Sequence, residues 1–224
     1  MQKNFVAEQF SIDIKKLKIR RSEIARYMYA KNAVEKIDGL ISECLFECEN
    51  CFDLRGIYMK LPVNVKENVL DFSVFKVKSN GLAKLLKESN EAVLFGATIG
   101  HDIDRLIKRY SHISPVKALT FNAIGTEVLE CFCDELCNFV KEKMNTNITP
   151  RFSPGYGDLS IEIQKDISKV LELSKNIGIT LTQNLAMVPS KSVTAIFGTI
   201  CGEYDKKNKC SECNMQECKF KKNK

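Results

Sequence analysis

Apolar positions along the chain follow two periods. Near the start, Phe10, Ile12 and Ile14 fall on one side of an extended segment and Gln9, Ser11, Asp13 and Lys15 on the other. That alternation predicts a half-buried strand. Ser22 then stands where a helix N-cap belongs, and Ile24, Tyr27, Met28, Val34, Ile37 and Ile41 follow helical spacing, with Gly39 a candidate break. Period two returns in residues 57–61, closed by Pro62, and in residues 72–77. A short amphipathic helix is predicted over residues 82–86, a buried strand over 92–99, and, after Gly100, a helix over 102–110 whose Asp102 and Asp104 suit the positive end of its dipole. Pro115 opens a long helical pattern that runs to Lys143. Residues 159–175 predict a further helix capped by Gly178, and residues 193–199 a last strand. Long helices among mostly non-parallel strands predict the α+β class: one domain with a twisted, mostly antiparallel sheet over residues 1–200, followed by a polar Cys- and Lys-rich segment, 201–224.

Composition supports a folded core, with 44% hydrophobic and 28% charged residues among 224. No apolar run approaches the roughly 18 residues a membrane span requires. The first residues lack the apolar stretch of a secretion signal, so a soluble cytoplasmic protein is expected. The formal charge of +6 is concentrated at the two ends: residues 1–21 carry +4, residues 203–224 carry +3, and the 181 between them −1. With the basicity off the predicted body and no Trp in the chain, a nucleic-acid groove is disfavoured.

The ten cysteines are too many to pass over. Cys44, Cys48 and Cys51 continue the apolar stripe of Ile37 and Ile41, and Cys133 and Cys137 lie one helical turn apart, near Cys131. Core packing is the expectation for all of these, as it is for Met59 and Met187. The segment after 200 is different. Cys210, Cys213 and Cys218 are spaced Cys-x2-Cys-x4-Cys in lysine-rich surroundings, with Cys201 available as a fourth thiolate. That set suits zinc or an iron–sulfur cluster, the alternative being a reduced tail. His101 and His112 receive neither a metal nor a catalytic role.

The most unusual stretch is Thr149-Pro150-Arg151-Phe152-Ser153-Pro154-Gly155-Tyr156-Gly157-Asp158. Its prolines and glycines enforce an irregular backbone. Its Arg, Tyr and Asp suit a small zwitterionic ligand: a planar fork for a carboxylate, a π face for a cation, and an anion. On composition alone, a tight turn with Asp158 capping the next helix is the favoured reading.

Residues 151–156 resemble the Arg-Pro-Ala-Pro-Gly-Tyr signature of the activation domain of cobalamin-dependent methionine synthase. Residues 178–189, Gly-Ile-Thr-Leu-Thr-Gln-Asn-Leu-Ala-Met-Val-Pro, are similar to that family's Gly-Met-Lys-Leu-Thr-Glu-Ser-Phe-Ala-Met-Trp-Pro segment, and Ser192-Val193-Thr194 to the Ser-Val-Ser that follows it. Residues 122–127 resemble the helix ahead of the loop more loosely. The resemblance implies that fold and a site for S-adenosylmethionine. It places Arg151 on the methionyl carboxylate and the main chain of Ser153, Pro154, Gly155 and Tyr156 around the adenosine. The ammonium partner stays open among Glu127, Glu130 and Asp158, because Thr126 stands where the family has a glutamate. Tyr204 and Asp205 fall near a C-terminal tyrosine of the family. The implied role is that of a stand-alone activation subunit in a methyltransferase system, with no catalytic side chain assigned. It would support reductive methylation of cobalt(II) cobalamin to methylcobalamin on a separate methionine synthase, with flavodoxin or ferredoxin as electron donor. Activation of another corrinoid methyltransferase, or a metal-binding redox or interaction module, are the alternatives. No nucleic acid or membrane partner is expected.

Overall fold

The computed structural model describes residues 5–200. Its centre is a five-stranded sheet in the order β1 (Glu8–Phe10), β2 (Arg55–Pro62), β6 (Glu91–Thr98), β10 (Ser192–Ile200) and β7 (Asn147–Ile148), with every pairing antiparallel. Strands β2, β6 and β10 are apolar on both faces because both faces are covered. On one face Tyr58, Val93, Phe95, Ala97, Ala195 and Phe197 pack with α1 (Arg21–Tyr27), α2 (Val34–Glu47), α4 (Asp102–Ile113) and α5 (Pro115–Lys143). On the other, Ile57, Met59, Leu61, Ala92, Leu94 and Ile196 meet α3 (Asn80–Leu86), α6 (Ile163–Val170) and α7 (Leu173–Ile177). A three-stranded sheet of β3 (Asn64–Lys66), β4 (Val69–Asp71) and β5 (Lys76–Lys78) adds to this second core, and β8 (Thr180–Leu181) pairs with β9 (Met187–Val188). The expected α+β class with a mostly antiparallel sheet is what the chain forms.

Helix α5 begins and ends as its sequence predicts. Ser114 caps it, Pro115 occupies the first turn where no N–H is needed, and Lys141 and Lys143 sit at its negative end. Its buried residues include Phe121, Ile124, Val128, Phe132, Leu136 and Val140, so it runs across the sheet as the main apolar girder.

Five expectations are corrected. Strand β1 stops at Phe10, because the Asp13 carboxylate accepts from the Lys15 N–H and turns residues 14–16 into a short 3₁₀ helix. Ser22 lies inside α1 and caps nothing. The helical stretch breaks between α1 and α2, where Tyr29 takes φ +58°, and not at Gly39, which α2 carries at an open surface position. Residues 72–77 form no single strand. The Asp71 carboxylate accepts from the Ser73 N–H, the Phe72 N–H donates to the Phe75 carbonyl, and the chain reverses between β4 and β5. Last, the helix expected over 159–175 starts at Ile163 and divides at Glu172, whose φ is +45°, into α6 and α7. Gly178, at φ +71°, does close it.

Candidate functional site

The site grows from an unfinished sheet edge. Beyond β7, Phe152 makes one more two-bond pairing with β10: its N–H donates to the Ile196 carbonyl at 2.8 Å and its carbonyl accepts from the Ile196 N–H at 2.9 Å. The next pairing would fall at residues 154 and 194. Residue 154 is proline and has no N–H to give. The chain instead turns away, with the Tyr156 N–H donating to the Ser153 carbonyl and the Gly155 N–H to the Leu159 carbonyl. Gly155 at φ +86° and Gly157 at φ +57° supply the left-handed conformations this requires.

A cavity of about 730 Å³ opens at that edge. Glu130 and Cys133 of α5 line one side, Arg151 to Pro154 with Tyr156 and Gly157 a second, and Ile161, Gln164 and residues 185–187 a third, with residues 192–195 of β10 as its floor. The volume lies within the range of small-molecule and cofactor sites.

Of the eight residues expected to bind ligand, five line this space: Glu130, Arg151, Ser153, Pro154 and Tyr156. Arg151 is three-quarters buried, and its Nη2 donates to Glu130 Oε2 and to Asp134 Oδ1, both at 2.9 Å. Asp134 was not anticipated, although it lies four residues after Glu130 and so on the same face of α5. Gly155 forms the turn without lining the cavity.

The other two acids are engaged elsewhere. Asp158 accepts from the Ser79 hydroxyl (2.6 Å), the main-chain N–H groups of Asn80 (2.6 Å) and Gly81 (3.1 Å), and the Asn80 amide (3.0 Å). It caps α3, the helix on the far side of its own loop. Those bonds hold its carboxyl well below the usual carboxylate range. Glu127 is fully buried, paired with Arg20 at 2.8 Å and contacted by the Cys131 thiol at 3.2 Å. It fastens the N-terminal segment to α5 and lies outside the cavity lining. Thr126 accepts from Lys191 Nζ at 2.9 Å.

Sequence patterning also missed members of the wall. Met187 and Cys133 lie on the cavity as well as against the cores, Gln164 carried no signal beyond polarity within apolar surroundings, and Thr194 none beyond its place in the Ser192-Val193-Thr194 match. Cys44, Cys48, Cys131 and Cys137 are buried as expected, and burial pushes their thiols up, to about 11 for Cys44 and about 12 for the other three. Cys51 is partly buried, and burial likewise raises its thiol. Cys201, Cys210, Cys213 and Cys218, with Tyr204 and Asp205, lie outside the described residues. Among the described residues no cluster of three or more His, Cys, Asp or Glu could hold a metal, and no helix is long and apolar enough to cross a membrane.

Residues 82–222 match the family model of the vitamin B12 dependent methionine synthase activation domain. The chain belongs to this family. The matched span contains the whole loop from Arg151 to Asp158 and continues through the cysteine-rich segment. The fold agrees: the crystal structure of the MetH reactivation domain bound to AdoHcy is similar to this chain, with a TM-score of 0.67 at 16% identity over 89% of this chain and 80% of that one. No curated protein matches the sequence.

Proposed function

We propose that this chain binds S-adenosylmethionine in the cavity at the β10 edge and serves as an activation subunit for a separate cobalamin-dependent methionine synthase. The observation that carries the reading is the charged wall of that cavity, in a chain of this family. Arg151, Glu130 and Asp134 sum to −1, and S-adenosylmethionine, with a carboxylate, an ammonium and a sulfonium, sums to +1. Both acid contacts use Nη2, and no described group accepts from Arg151 Nε or Nη1. Arg151 would hold the methionyl carboxylate and Glu130, with Asp134 behind it, the ammonium, while the main chain from Ser153 to Tyr156 borders the adenosine.

The ligand would supply its sulfonium methyl which, with one electron from a flavodoxin or ferredoxin, converts the partner's cobalt(II) cobalamin to methylcobalamin. The chain's own contribution is positional. It fixes the zwitterionic end by charge, and the open side of the cavity leaves the donor approachable by the partner. A domain over residues 1–200 would suffice for that task. AdoHcy in the related reactivation domain is what S-adenosylmethionine becomes on losing its methyl, which supports the same reading.

The test is reactivation. Methionine synthase held as cobalt(II) should regain the methylcobalamin absorption spectrum when this protein, S-adenosylmethionine and a reductant are supplied together, and should not when this protein is omitted. No recovery refutes the assignment of partner, and recovery of a different corrinoid methyltransferase in the same assay transfers the role to it.

A further inference from the structure

The cavity has two chemically distinct ends. The α5 side carries the charges. The α6 side is walled by Pro154, Ile161, Leu185 and Met187 and holds two buried polar side chains, Gln164 and Thr194, which are 2% and 1% exposed.

Gln164 is held in one orientation. Its Nε2 donates to the Leu185 carbonyl at 3.2 Å, which fixes the orientation of the amide; its acceptor, Oε1, receives no hydrogen bond from any described residue. Leu185 is itself braced at φ +62°: its N–H donates to the Thr182 carbonyl at 2.9 Å, and the neighbouring Ala186 N–H donates to the Thr182 hydroxyl at 3.1 Å. A flip of Gln164 would therefore set two carbonyl oxygens against each other.

Thr194 is short of partners in two ways. Its Oγ1 is buried without a hydrogen bond among the described residues. Its main-chain N–H and C=O face the same edge of β10 as those of Ile196, by the alternation of an antiparallel ladder, and Pro154 leaves that edge open. Buried polar groups are ordinarily satisfied, so an anchored acceptor and an unpaired hydroxyl lining one cavity with an open strand edge, between apolar walls, are the complement of a flat heterocycle.

We propose that Gln164 and Thr194 form a base-reading subsite in which Gln164 Oε1 accepts from the 6-amino group of adenine and the Thr194 hydroxyl donates to an adjacent ring nitrogen. The assignment rests on the S-adenosyl reading above and adds its specificity. A 6-oxo purine would turn an oxygen toward the fixed Gln164 oxygen and be rejected. Thr194, whose hydroxyl rotates, contributes affinity more than discrimination.

Calorimetric titration of S-adenosylhomocysteine and S-inosylhomocysteine into the full chain tests this. The wild type should prefer the adenosyl compound by roughly tenfold or more, as expected where a site built to bond one group meets its opposite. Gln164→Met should bring the two affinities to within about threefold of each other, and Thr194→Val should weaken adenosyl binding by about three- to tenfold with the preference kept. Arg151→Ala should weaken both ligands and leave their ratio intact. Saturable binding with equal affinity for the two compounds in the wild type overturns the subsite, whether or not any variant folds. An undiminished preference in folded Gln164→Met overturns it as well. Absence of binding of either compound to the wild type overturns the underlying ligand reading, and the subsite with it.

Discussion

Replacing Arg151 by alanine tests the charged end of the cavity, and the outcome can be worked out with its sign. A hydrogen bond from a charged donor to a ligand carboxylate contributes about 1.5–3 kcal/mol. The two acids that Arg151 now serves are 46% and 54% exposed in their side chains, so water re-solvates them once the guanidinium is gone and little penalty arises from stranding them. The variant also changes the cluster from −1 to −2. At a few ångströms in a wet site that extra negative charge recovers about 1 kcal/mol for a ligand of net charge +1 and little for a neutral zwitterion. The expected loss is therefore about 0.5–2 kcal/mol for S-adenosylmethionine and about 1.5–3 kcal/mol for S-adenosylhomocysteine, or about 2- to 30-fold against about 10- to 150-fold. Arg151→Lys, which keeps the charge and loses the planar fork, should fall between wild type and alanine for both. Isothermal titration of both ligands at low salt measures each term. Unchanged affinity for both would remove Arg151 from the site, and a greater loss for the sulfonium than for the neutral ligand would refute the charge arithmetic.

Two further predictions concern the frame around the site. In Gly198→Ala the new Cβ would lie 2.1 Å from Ser89 Oγ and 2.7 Å from Leu86 Cδ2, both buried, so overpacking should cost about 1–3 kcal/mol and lower the melting temperature by roughly 2–4 °C per kcal/mol; a melt coincident with wild type would show that α3 yields without cost. Asp158→Asn should lower stability at neutral pH, because the carboxylate's bonds to Ser79, Asn80 and Gly81 depress its pKa below 3.8, so its contribution is complete above that value and lost as pH falls through the folded value. Urea midpoints of the two proteins should differ at neutral pH and the gap should narrow progressively as pH falls below 3.8; a gap that stays constant on acidification would count against the cap.

What could be read from the sequence was what depends on near neighbours. Pro115, the helical period and the closing lysines delimit α5 because each acts within a turn or two, and the apolar run of β6 is legible because both of its faces are buried. The breaks were not legible where a side chain competes locally with a regular pattern, as Asp13 and Asp71 do by capturing N–H groups two residues on. The acids were sorted by partners distant in sequence. Glu127 is claimed by Arg20, 107 residues away, and Asp158 by the start of α3, 77 to 79 residues away. Nothing near either residue announces those bonds. Glu130, three residues from Glu127, is the one left facing the cavity.

The loop that carries the family signature is a sheet-terminating device as much as a set of ligands. Strand β10 is paired along its outer edge at Thr199 and Ile200 by β7 and at Ile196 by Phe152, and the same segment would have sealed Thr194 had residue 154 been able to donate. Proline there ends the ladder, and the glycines that follow turn the chain back before it can cover the gap. Main-chain groups that a sheet would ordinarily consume are thereby left facing the cavity, between a charged helix on one side and an apolar, amide-bearing one on the other. The residues that make the loop look like a turn and those that make it look like a binding site are accordingly not alternatives. The turn creates the open edge, and the open edge is what gives Arg151, Gln164 and Thr194 a common space to face.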